Sequence, residues 1–273
     1  MVLGAGVSVP SGLRDWDAVT QELIAAVMPG RKLRGLAGRL ANMDLPAYRR
    51  TRIIESLSAA FRLTVRDTLY PKRLRANKTL AAIARLARRS QKARKKLLVI
   101  SYNFDDLLER HLDAAGLSER YLVVESREQY ERFQKSPAPI TIFHPHGYMP
   151  LQGDLETLLN SMLIFSERQY HRSYFDQNHW TNVVQRNLFS SSACLFAGCS
   201  FNDQNLRRLL DQSAVSSSPC LAALMKRSSK FGSRAMNENT DYIIQHDLGL
   251  FDVKTLWMKS YNEIGAILDQ FVC

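Results

Sequence analysis

Four short polar motifs follow apolar runs in this chain. They are Gly4-Ala5-Gly6-Val7-Ser8 after Val2-Leu3, Ser101-Tyr102-Asn103-Phe104-Asp105 after 97–100, His144-Pro145-His146-Gly147 after 140–143, and Gly198-Cys199-Ser200 after 194–197. Their residue types suit work on a nucleotide. A Gly-x-Gly turn lets backbone N–H groups come close to a pyrophosphate. An imidazole such as His146 titrates near neutrality and can move a proton. The motifs lie far apart in sequence, but the carboxyl ends of parallel strands share one edge of a sheet, and ligands bind in the crevice there. Together they predict a nucleotide pocket.

Each motif also has a plainer reading. Asp105 suits a helix N-cap, Asn103 an ordinary turn, and a lone Gly-x-Gly a structural turn. Gly198, Ser200 and Asp203 repeat a pattern of strand, glycine turn, hydroxyl and helix cap. What points to function is that all of these occur together. The hydride-transfer fingerprint is incomplete: Val9 stands where its third Gly or Ala belongs, and no acid ends a second strand at the expected distance.

The elements that must position these residues read as α/β. Short apolar runs at 2–3, 97–100, 121–124, 140–143, 193–197, 221–225 and 253–258 predict strands, and several are continuous enough to be buried on both faces. Helical spacing starts near Asp15 and stops at Met28-Pro29-Gly30. Further helices are predicted over about 105–115, 168–189, 203–212 and 262–271, with 151–165 and 213–219 as loops and 226–240 as a flexible stretch. The alternation predicts a doubly wound, Rossmann-like parallel sheet of six to seven strands in a single domain over 1–273.

Residues 31–96 stand apart. They lack strand patterning and read as a helical insertion after the first strand, with one helix near 79–93. They carry twenty Lys/Arg against Asp44, Glu55 and Asp67, so this segment is at +17 within a chain of net +11. Such a segment meets nucleic acid, an acidic partner or phosphates, or it is a solvated helical face.

The chain has 273 residues, 45% of them hydrophobic, enough for a sizeable core. It contains no run of 18 apolar residues, so no membrane contact is expected. No basic-then-apolar leader opens it, and its four cysteines form no Cys-x-x-Cys pair. These features predict a cytoplasmic protein with reduced thiols and no structural zinc.

The motifs also carry a family resemblance. Gly4 to Ser8, followed by Gly12-Leu13-Arg14-Asp15-Trp16, resembles the sirtuin opening. Ser101 to Asp105 resembles the sirtuin Gln-Asn-Ile-Asp block, His146-Gly147 its His-Gly, and Gly198-Cys199-Ser200 its Gly-x-Ser. The forms at 102–109 and 196–210 are closer to the sirtuin-like domains of prokaryotic anti-phage defence proteins, which degrade NAD. The resemblance follows motif order along the chain, apart from 17–96.

That resemblance implies NAD as substrate, no metal, and cleavage between nicotinamide and ribose. It makes His146 the general base, with His144 as rival, and gives Asn103 the placing of water or ribose hydroxyls. Asp105 would orient nicotinamide. Gly4, Ala5, Gly6 and Ser8 would cradle the phosphates, and Gly198 and Ser200 the adenosine half, with Asp15, Trp16 and Asp203 completing the binding set. Two departures bear on deacylation: the four-cysteine ribbon of the protein deacylases has no counterpart, and Arg14 replaces a loop proline. Two other readings stay open, an NAD-dependent protein deacylase and a non-catalytic nucleotide or nucleic-acid module. A toxic NAD-cleaving activity needs control, which predicts a homo-oligomer, a separate activating protein, or nucleic acid bound through 31–96.

Overall fold

A computed structural model of the chain describes residues 1–14, 16–27, 50–53, 55, 61–153, 163–213 and 220–271. Seven strands form one sheet: β1 Val2–Leu3, β2 Leu97–Ser101, β3 Tyr121–Val124, β4 Ile140–Phe143, β5 Cys194–Ala197, β6 Leu221–Lys226 and β7 Val253–Met258. Their order is β3-β4-β2-β1-β5-β6-β7, and every pairing is parallel. The doubly wound, Rossmann-like sheet is therefore present.

β1 is only two residues long, yet it is the centre of the sheet. Val2 is in register with Ile100 and Phe196, and Leu3 with Ser101 and Ala197. Period-two alternation sends these neighbours to opposite faces. Leu3, Val99 and Ala197 join a core with α1 (Trp16–Val27), α3 (Lys78–Lys92), α4 (Leu107–Ala114) and α10 (Glu263–Asp269). Val2, Ile100 and Phe196 join a second core with α5 (Arg127–Lys135), α7 (Trp180–Ser191), α8 (Gln204–Ser213) and α9 (Arg234–Gly249). Burial on both faces explains why the strands read as unbroken apolar runs.

The helical insertion expected after β1 is described only in part. α2 (Phe61–Leu69) and α3 lie between β1 and β2, but α3 packs against the sheet and belongs to the fold's covering layer. Its buried stripe is Leu80, Ile83, Ala84, Leu86 and Ala87. Much of its charge is used internally: Arg85 Nε donates to Asp269 Oδ1 at 3.0 Å, Arg89 Nη2 to Leu268 O at 2.9 Å, and Arg88 to Ala115 O. Residues 31–49, 54 and 56–60 of the basic segment lie outside the described residues, as do 154–162 and 214–219 of the two expected loops.

Three further differences have local causes. The helix expected over 168–189 is two, α6 (Glu167–Phe175) and α7, because Asn182 Nδ2 donates to Ser173 O at 2.7 Å and Asp176 O at 2.8 Å. Those carbonyls end α6, and the chain turns at 176–179. The stretch after β3 forms α5, announced by a capping box of Ser126 and Gln129. The segment at 226–240 expected to be flexible gives way to α9 from Arg234, capped by the Ser233 hydroxyl.

The turn after β1 meets the turn after β5 backbone to backbone. Gly4 N–H donates to Ala197 O and Gly6 N–H to Gly198 O, both at 3.0 Å. A Cβ on Gly4 would sit 2.5 Å from Gly198 O, and one on Gly198 would sit 2.6 Å from Val7 N. Gly198 also has φ +68°, a left-handed conformation. Gly198→Ala is therefore expected to destabilise the fold by about 2–4 kcal/mol. A loss of unfolding free energy of that size in equilibrium denaturation checks it, whereas a near-wild-type value would mean that the two turns can separate.

Candidate active site at the strand ends

The carboxyl ends of β2 and β1 bring four of the expected residues together. Asn103 Nδ2 donates to Gly4 O at 3.2 Å and to Ser8 Oγ at 3.0 Å. Ser8 Oγ in turn donates to Asp105 Oδ1 at 3.2 Å. The Leu107 N–H, in the first turn of α4, donates to the same carboxylate oxygen at 3.2 Å. Asp105 is thus both a helix-start acceptor and part of the site. Burial raises its pKa to about 6, with the Ser8 hydroxyl and the Leu107 amide opposing that rise and the nearby Glu109 adding to it. The Ser8 hydroxyl links Asn103 to Asp105.

β4, next to β2, supplies His146. Its ring lies 5.0 Å from that of Tyr102, and its Nε2 is 3.7 Å from Asp203 Oδ2, at the start of α8. Asp203 is held in place: its Oδ1 accepts from Tyr170 O–H at 2.9 Å and from Leu206 N–H at 2.8 Å. Burial lowers the His146 pKa, and the Asp203 carboxylate partly opposes this. A neutral imidazole beside an oriented carboxylate is the form a general base needs.

The rival histidine is placed differently. His144 is 1% exposed, with Nε2 2.8 Å from Glu109 Oε1 and Nδ1 3.0 Å from Asn103 O. Burial opposes its charge, but the Glu109 carboxylate and the Asn103 carbonyl outweigh burial and raise its pKa. Both ring nitrogens are engaged inside the protein, whereas His146 Nδ1 has no hydrogen-bond partner among the described residues.

The remaining expected residues divide. Gly4, Ala5, Gly6 and Ser8 form the β1 turn, but its N–H groups are largely committed: Val7 N–H donates to Gly4 O at 3.1 Å and Ser8 N–H to Ala5 O at 3.0 Å. The exposed Ala5 carries the turn's N–H outside these bonds. Gly198 packs against that turn, and the exposed Ser200 accepts from Asn202 N–H at 3.3 Å. Trp16 stands over the β2 loop, its ring 5.7 Å from Phe104 and 4.7 Å from Phe165. Asp15 lies outside the described residues.

Sequence reasoning missed several supports. Asn77 caps α3 through Thr79 N–H and Leu80 N–H, while its Nδ2 holds Val7 O at 2.7 Å and Ser11 Oγ at 2.9 Å. The Tyr70 hydroxyl lies 2.9 Å from Asp106 Oδ1 and 2.7 Å from Met149 O. Tyr102 donates to Gln185 Oε1, which fixes the ring beside His146. The N-cap role of Asn77 was open to a sequence reading, since an asparagine precedes a clear amphipathic run. The other contacts join elements distant in sequence and carry no spacing signal.

A parallel doubly wound sheet with its polar residues gathered at the carboxyl ends defines a nucleotide-binding class of α/β domain. The model of the SIR2-like domain matches residues 97–243, over half of the chain, and the protein belongs to that family. The match runs from β2 into α9 and contains Asn103, Asp105, His146, Gly198, Ser200 and Asp203. SIR2-like domains are NAD-dependent enzyme domains, and an NAD-related activity follows for this chain. No curated protein matches it. Among the described residues, no group of three or more His, Cys, Asp or Glu could hold a metal ion, and no helix is long and apolar enough to cross a membrane.

Proposed function

We propose that the protein is an NAD glycohydrolase. The bond between the nicotinamide nitrogen and ribose C1′ breaks, water supplies the new C1′ oxygen, and one proton is released with nicotinamide and ADP-ribose. Asp105 orients the nicotinamide carboxamide. Asn103, fixed on Gly4 and Ser8, places the water or the ribose hydroxyls. His146 takes the proton, with Asp203 steadying the resulting charge. The observation that carries this reading is the Asn103–Ser8–Asp105 cluster at the end of β2, with His146, in the turn after the adjacent β4, against Tyr102 of the same β2 end. Incubation with NAD tests it by nicotinamide release, with an acyl-lysine peptide added in a parallel arm to separate hydrolysis from deacylation.

The resemblance to anti-phage domains supports a role as an effector that depletes NAD in the cytoplasm once a partner or self-assembly activates it. We place that control at the basic end of α3, on an anionic partner surface. Arg85, Arg88 and Arg89 are engaged internally, but Lys92, Arg94, Lys95 and Lys96 are exposed together. Reversing Lys92, Lys95 and Lys96 to Glu is expected to weaken assembly or nucleic-acid binding at least about tenfold at low salt and less at high salt, because screening shortens the reach of charge. Mass in solution and binding at two salt concentrations measure this. Unchanged values at both would remove the surface from the account.

A further inference from the structure

The sheet order leaves one direction for the rest of a dinucleotide. With the reacting residues at the ends of β2 and β4, a ligand crossing the β1 turn runs on over β5, β6 and β7. A cavity of about 290 Å³ opens on that side, lined by Gly6, Val9, Pro10, Lys226, Ser260, Tyr261 and Asn262. Lys226 is the last residue of β6, it is exposed, and it has no ion-pair partner among the described residues. Its neighbour Arg227 is engaged, with Nη1 3.4 Å from Asp241 Oδ2 and its guanidinium over the Trp257 ring.

The chemistry of that lining is one-sided. None of the seven lining residues is a carboxylate. Glu263, the nearest acid in sequence, accepts from Lys259 N–H at 3.3 Å and from Ser260 N–H at 3.2 Å. A strand-end carboxylate reads the diol of an adenosine ribose, whereas a strand-end cation accommodates a phosphate on it. The Asn262 side chain makes no cap bond, and Ser260 adds a hydroxyl at the same rim.

The geometry points to Lys226 as a specificity residue that selects a dinucleotide phosphorylated on its adenosine ribose, NADP over NAD. This rests on the proposed reading of the strand-end cleft as a dinucleotide site. The lysine supplies a charge-assisted hydrogen bond to the extra phosphate, a bond NAD cannot form.

Calorimetric titration with ADP-ribose and with 2′-phospho-ADP-ribose tests this without turnover, and NAD and NADP cleavage are compared alongside. The phosphorylated ligand is expected to bind about tenfold or more tightly than ADP-ribose. Lys226→Ala is expected to abolish that ratio and Lys226→Glu to invert it. Lys254→Glu, an equal charge change at the opposite end of the neighbouring strand, is expected to keep it. Equal binding of both ligands by the wild type, or a ratio unmoved in both Lys226 variants, overturns the inference and leaves the glycohydrolase reading standing. Binding of ADP-ribose without the phosphorylated ligand also overturns the inference alone, and failure of both ligands to bind overturns both readings.

Discussion

His146→Ala is expected to lower nicotinamide release by about 100- to 10,000-fold, the range for loss of a positioned general base. The effect should fall on kcat, since the ring is placed to take a proton and the substrate's other contacts remain. Folding should change little, because the side chain is partly exposed and its 3.7 Å contact with Asp203 is long. The pH profile carries the same assignment. The base must be neutral, and burial lowers its pKa despite the opposing Asp203 carboxylate. Activity should therefore hold as pH falls to the ordinary histidine value of about 6.5 and fail below it. Asp203→Asn removes the opposing charge while keeping an acceptor for Tyr170, so the part of the acid limb due to His146 should move to still lower pH, while the part due to Asp105, at about 6, should stay. Wild-type turnover in His146→Ala would return the role to another group. His144 would be a poor candidate, with both nitrogens engaged by Glu109 and Asn103.

Asp105→Asn is expected to make the protein more stable and less active at once. Burial holds this carboxyl at about pKa 6, above the ordinary aspartate value. For a group raised on folding, the stability it contributes is present below the unfolded pKa, about 4, and is lost as pH rises through about 6. At pH 8 the folded protein therefore carries an unfavourable buried charge. Asparagine removes it and can still accept from the Ser8 hydroxyl and the Leu107 amide. The expected gain is about 2–3 kcal/mol at pH 8, shrinking at pH 4.5, where the wild-type carboxyl is itself protonated. Nicotinamide release should fall about 100-fold, the scale for loss of one oriented electrostatic group. Denaturant midpoints at the two pH values, beside initial rates at pH 8, measure both halves. A variant destabilised at pH 8 would mean that its hydrogen bonds outweigh the desolvation of the charge.

The sheet was legible because burial on both faces writes itself as continuous apolar runs, and even the two residues of β1 were marked by the glycine turn after them. α5 was hidden because its stretch is polar almost throughout, with Tyr130 its one buried side chain. The signal that could have found it was local, Ser126 with Gln129, and the same pattern at Ser166 and Gln169 marks the start of α6. The division of α6 from α7 was not legible, because it depends on where one amide, Asn182, finds its carbonyls. In the site, the residue types at the strand ends could be read, but not how they are shared. Two histidines flank Pro145, and only the fold shows that one faces inward to Glu109 and the other to Asp203. Ser8 illustrates the same limit: its place in the glycine turn suggests a phosphate contact, while its hydroxyl lies between Asn103 and Asp105.

The central claim is that this cleft breaks the nicotinamide–ribose bond with water as the acceptor. The direct measurement is to incubate the purified chain with NAD in ¹⁸O-labelled water and follow nicotinamide and ADP-ribose by mass spectrometry. A parallel arm adds an acyl-lysine peptide, and another adds nucleic acid as an anionic activator. The account predicts equal amounts of the two products and one labelled oxygen at C1′ of ADP-ribose. It also predicts no requirement for the peptide and loss of release in Asn103→Ala and His146→Ala. Release that depends on the peptide, with the acyl group carried to the sugar, or intact NAD in every arm, would contradict it.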